Sequence, residues 1–121
     1  MSRTSARWPL VNPENQRMVE DFLNEYRARK AKTNTLEQYM YDLKIIGVYV
    51  MEEKGNRPFT ELKKKDWRDM LAYFTLERNL SNSRANRLMS CLRSLLGFLE
   101  DYDESECDCN QAARVTGLPK E

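Results

Sequence analysis

Histidine is missing from this chain of 121 residues. Its absence removes the usual general base at neutral pH and the commonest nitrogen ligand for metals. Cysteine is scarce. The three present (Cys91, Cys107 and Cys109) are an odd number with no secretory leader ahead of them. They read as reduced thiols of a cytoplasmic protein rather than a disulfide framework. Cys107 and Cys109 flank one residue and have too few companions for a tetrahedral metal site, so neither metal nor cofactor is expected. Long apolar runs are lacking as well. The longest, Ile45 to Met51, falls far short of a membrane span, so no membrane partner is expected. There is no Gly-rich phosphate loop, no nucleophile elbow and no plausible catalytic triad. Carboxylates crowd together in the acidic run from Glu100 to Asp108, where exposure would leave them untuned. No catalytic residue and no small-molecule substrate follow from such a sequence.

What is present suits one domain with a real core. Twenty Lys and Arg oppose nineteen Asp and Glu, for a formal charge of +1. The balance hides an uneven distribution. Glu100, Asp101, Asp103, Glu104, Glu106 and Asp108 crowd one segment, and the remainder is basic.

Apolar spacing predicts four helices with short connections and no strand, an all-α compact bundle. Residues 1–11 read as a basic tail, with Trp8 as a docking point. Asn12-Pro13-Glu14 opens a helix through Ala31, with Asn12 as N-cap and Pro13 in the first turn. Thr33-Asn34-Thr35 reads as the cap of a second helix, with Glu37 or Gln38 completing a capping box. That helix is apolar almost all round from Ile45 to Met51, as a central or partner-covered helix is. Gly55 and Pro58 break the chain. A third helix from Lys64 to Arg78 turns Trp67, Met70, Leu71 and Phe74 inward. Ser81 caps the fourth. After Tyr102 the acidic segment and a linker, residues 103–121, complete the chain.

The fourth helix, Ser81 to Leu99, carries the main functional signal. Ala85, Leu88, Met89, Leu92, Leu95, Leu96 and Leu99 share a broad apolar arc. Ser83, Asn86, Arg87, Ser90 and Arg93 share the opposite one, and Arg84 lies near the apolar edge. No acid occurs anywhere in the stretch. A face built for solubility mixes acids with bases, whereas one laid against phosphates excludes carboxylates. The same arginines also suit plain solvation. Thr33, Asn34 and Thr35 would in addition present helix N–H groups to an anion, with Lys44 further along the same helix. Lys63-Lys64-Lys65 is a basic helix start that equally suits a solvated loop.

Three stretches together resemble one family. They are Thr35-Leu36-x-x-Tyr39-x-x-Asp42-Leu43, then Phe59-Thr60-Glu61-Leu62 with Asp66-Trp67, and Asn86-Arg87-Leu88-Met89-Ser90-Cys91-Leu92-Arg93-Ser94. In order and spacing they look like the N-terminal SAM-like, or core-binding, domain of phage integrases and tyrosine recombinases, over residues 12–102. The resemblance implies a helical bundle that clamps double-stranded recombination-site DNA alongside other recombinase protomers. It also implies that strand transfer belongs to a separate catalytic domain, toward which residues 103–121 would lead. DNA contacts would then fall on Thr33, Asn34 and Thr35, and on Ser83, Asn86, Arg87, Ser90 and Arg93; Lys44 and Arg84 join these candidates by their positions on the same two helices. Tyr39 and Asp42 would be structural. The family often has Thr where this chain has Arg84 and a base where it has Leu88. Two other readings stay open at this level, a helical protein-interaction module and a helix-turn-helix regulator.

Overall fold

The computed structural model describes residues 3–102 and 109–119, and for Tyr102 the backbone. All regular structure among them is helical. The chain forms two compact units, residues 1–59 and 60–121.

The first unit holds three α-helices: α1 (Arg3–Arg7), α2 (Pro13–Ala28) and α3 (Thr33–Glu53). Asn12 caps α2 as expected, its Oδ1 accepting from the Asn15 N–H at 2.7 Å. The helix stops at Ala28, three residues before the expected end, because Lys30 takes a left-handed φ of 59° that no helix continues through. Met18, Val19, Phe22 and Leu23 are buried on α2, and Leu43 and the run Ile46–Val50 on α3. Phe22, Tyr26 and Tyr39 join the two helices in an aromatic cluster with centroids 4.8–5.8 Å apart, Phe22 meeting both tyrosines edge to face. Tyr39 thus has a packing role. Asp42 is buried and accepts from Gln38 Nε2 at 3.1 Å. The reading of both as structural residues holds.

Residues 3–10 are more than a tail. They form α1 and a 3₁₀ turn, Trp8–Leu10, set against α3. Arg3 and Arg7 both pair with Glu52, Arg7 at 3.0 Å. The Trp8 ring lies over Gly47, where an added Cβ would meet Cζ3 at 2.4 Å. Gly47 therefore admits an indole where a larger residue would exclude it. The apolar girdle of α3 is covered partly from within the chain. At the far end of α3, Gly55 and Asn56 take positive φ, 69° and 54°. Asn56 then accepts the Asn12 N–H at 2.9 Å, and its own carbonyl accepts from Asn12 Nδ2 at 2.8 Å.

The second unit holds α4 (Lys64–Ala72), which runs on as a π-helical turn (Tyr73–Glu77), and α5 (Asn82–Tyr102). Asp66 closes the start of α4 by accepting the Lys63 N–H at 2.9 Å. Trp67, Met70, Leu71 and Phe74 are buried as their spacing predicts. The change to π pitch at Tyr73 was not readable from that spacing. Leu76, opposite the inward face, is 79% exposed. Ser81 caps α5, its Oγ accepting from the Arg84 N–H at 3.0 Å. The helix then runs three residues beyond Leu99. Residues 109–119 are not a plain linker. They contain a 3₁₀ turn, Gln111–Arg114, and bury Cys109, Ala112 and Val115. The acidic residues 103–108, with Cys107 and Asp108, lie outside the described residues.

Candidate nucleic-acid interface

In the first unit the polar candidates gather where α2 ends and α3 begins. Arg27 bonds to Glu20 and Asn24, and Arg29 pairs with Glu25 at 2.8 Å. Lys30 and Lys32 are exposed, and no acid among the described residues pairs with either. Thr33, Asn34 and Thr35 are exposed but do not cap the helix. Lys32 occupies the N-cap position and provides no side-chain bond. A lysine has no acceptor to offer, so the expected capping box does not form. The first intrahelical bond is Leu36 N–H to the Lys32 carbonyl at 3.1 Å. The N–H groups of the first turn thus lack intrahelical acceptors, beside two hydroxyls and two lysines.

Lys44 does not join this group. Eleven residues along α3 place it about 16 Å from the helix start. Its ammonium stands 6.0 Å from the Trp8 ring centroid, over a groove that Gln16, Arg17, Glu20 and Met40 also line.

In the second unit α5 has three faces. Ala85, Leu88, Met89, Cys91, Leu92, Leu95 and Leu96 are buried. Cys91 therefore packs, as its position at the apolar edge suggests. A second face, Asn82, Asn86, Arg93, Gly97 and Glu100, recurs at steps of three, four and seven and meets residues 110–119. The Asn86 amide pairs with Leu118 twice. Its Nδ2 donates to the Leu118 carbonyl at 2.9 Å, and its Oδ1 accepts the Leu118 N–H at 2.8 Å. Arg93 donates through Nε to the Ala112 carbonyl at 3.1 Å, and through Nη2 to that of Val115. Glu100 accepts the Asn110 N–H at 2.6 Å.

The third face carries Ser83, Arg87, Ser90, Ser94 and, at the far end, Asp101. The first three are exposed and Ser94 is half-buried. From Asn82 to Leu99 it holds no acid. Arg84 sits apart from this stripe, half-buried, with its Nη1 shielded from solvent. The sequence-predicted polar arc is therefore two faces. Ser83, Arg87 and Ser90 stay together in the open, and Asn86 and Arg93 hold the chain's own backbone.

Sequence reasoning missed Ser94 on the stripe and Asn82 beside it. It also missed the packed segment that Asn86 and Arg93 engage. A signal was present: Cys109, Ala112 and Val115 recur every third residue, the period of a 3₁₀ turn.

No curated protein and no solved structure gives a match to the chain. The family model of the phage integrase N-terminal SAM-like domain matches residues 19–102. The chain belongs to that family. The match runs from within α2 to the end of α5, and so takes in all three stretches that carry the resemblance. A SAM-like integrase domain is helical, as the described residues are. The match covers the non-catalytic domain of its family. No helix among the described residues is long and apolar enough to cross a membrane.

Proposed function

We propose that this chain is the core-binding domain of a tyrosine recombinase, and that it clamps double-stranded DNA for integration by a catalytic domain. In this reading residues 12–102 form the DNA-binding domain, and the segment from 103 onward leads toward the catalytic part. The working partners are recombination-site DNA in the cytoplasm and further recombinase protomers. The observation that carries the reading is the open stripe of α5. Arg87 stands among serine hydroxyls on a face without an acid for more than four turns, on a chain of the integrase family. The start of α3, with Lys30, Lys32, Thr33, Asn34 and Thr35, supplies a second place for a phosphate. Lys44 and Arg84 contribute less, since one lies over an indole and the other is half-buried.

A protein-interaction module was suggested by the apolar run of α3. Of the run Ile45 to Met51, Ile46 to Val50 are buried and its two ends half-buried, so it offers little surface to a partner.

The test is fluorescence anisotropy of a labelled duplex of about two helical turns, titrated at several salt concentrations. Phosphate contacts make the affinity fall steeply with salt. Arg87→Ala should weaken binding about five- to tenfold and lower the salt slope by about one. Its thermal melt should stay within about 3 °C of the parent, since a substitution at an exposed position changes stability by about 0.5 kcal/mol or less. Equal affinity of variant and parent would remove Arg87 from the interface. Preference for a short palindrome bound by a dimer would favour a helix-turn-helix regulator instead.

A further inference from the structure

The segment on the second face of α5 has two parts that are held differently. Residues 109–115 are anchored. Cys109, Ala112 and Val115 are 1%, 0% and 4% exposed, and Arg93 and Glu100 bond their backbone. Residues 116–119 are not anchored in that way. Thr116, Gly117 and Pro119 are exposed and Leu118 is half-buried. Bonds from side-chain amides hold them, among these two between Asn86 and Leu118 and one from Asn82 Nδ2 to the Pro119 carbonyl at 3.1 Å. Gly117 passes so close that a Cβ there would stand 3.3 Å from Asn86 Oδ1. Bonds of this kind at a partly exposed site exchange with water at little net cost.

Asn82 and Asn86 immediately precede Ser83 and Arg87, so they border the N-terminal part of the open stripe. Amide N–H donors are what phosphate and sugar oxygens accept. A duplex laid on the stripe meets donors that the chain's own backbone already occupies.

We propose that residues 117–119 are an intramolecular latch that competes with DNA for the amides of Asn82 and Asn86. The inference rests on the DNA-binding reading and adds a closed form to it. Apparent affinity is the intrinsic affinity reduced by the fraction of molecules with the latch open. Opening needs no change in the anchored part, and Thr116 is the hinge.

The experiment compares the full chain with one ending at Thr116, using the same labelled duplex. The truncation removes one lysine and one glutamate, Lys120 and Glu121, so side-chain charge is unchanged. Every anchoring residue stays. The shortened chain should bind about five- to tenfold more tightly. Asn86→Ala should cost more affinity in the shortened chain than in the full one, where the latch masks the contact. A full-length variant, Leu118→Pro, loses the N–H that Asn86 accepts. It should shift affinity in the same direction and guards against a folding defect in the truncation. Circular dichroism melts identify any such defect. If both altered chains bind no more tightly than the parent, while Arg87→Ala still weakens the parent, the latch is overturned and the DNA-binding reading stands. If no chain binds at low salt, both fall.

Discussion

Asn15 is closed off from solvent, and both ends of its amide are committed. Its Nδ2 donates to the Arg57 carbonyl and its Oδ1 accepts the Phe59 N–H, each at 2.9 Å. One side chain on α2 thereby satisfies two backbone groups of the segment after Gly55. Replacing it by Ala would remove both bonds, one of them buried. Asn15→Ala should cost about 2–4 kcal/mol of stability, read as a lowered urea midpoint with unchanged slope. Asn12, three residues earlier, was legible as a cap because its partner lies within one helical turn. Asn15 was not, since its partners lie 42 and 44 residues away and are backbone atoms that no residue type announces. The same reason hid the partners of Asn86 and Arg93. A polar residue on a helix face looks alike in sequence whether it meets a phosphate, water or a carbonyl 32 residues downstream.

At the scale of elements, α3 shows a local preference and a packing demand in conflict. Gly47 lowers helix propensity by about 1 kcal/mol relative to Ala, yet the Trp8 ring occupies the space a methyl group would take. Gly47→Ala alone should displace the indole and gain little. In a Trp8→Ala background, with the ring gone, the same change should stabilise the chain by about 1 kcal/mol. A thermal double-mutant cycle would then show coupling well above the few tenths of a kcal/mol expected of independent sites. Additive effects would mean that Trp8 does not hold this position in solution. Helix positions were largely readable, because an apolar period of three to four residues is local information. The ends were less so. Lys30 stops α2 by adopting a conformation that lysine seldom takes, and Lys32 leaves α3 uncapped where three better capping residues follow it. The π turn Tyr73–Glu77 still buries Phe74, the last inward residue that the apolar spacing predicts, so that spacing carries no trace of it.

For the whole molecule, the missing histidine has an experimental consequence. Imidazole is the side chain whose ordinary charge change falls between pH 6 and 8, and this chain has none. DNA affinity at constant ionic strength should therefore stay within about twofold across that interval while falling steeply with salt. A pronounced pH dependence there would point away from a phosphate contact made by arginine and lysine. Family membership was legible in three short stretches whose order and spacing sufficed, and the family match covers all of them. The division of the polar arc of α5 was not legible, because it depends on where residues 110–119 come to rest. That division also bears on how such a helix can change over generations. Packed, bonded and open positions interleave along α5 at the same spacing. Substitutions at the exposed positions 83 and 90 fall outside both the buried face and the bonded one. Gain or loss of one residue within the helix would turn everything beyond it by about 100°, exchanging the three faces at a stroke. Under the proposed DNA-binding reading, single replacements on the open face can tune affinity, whereas a change in the length of α5 would scramble all three faces.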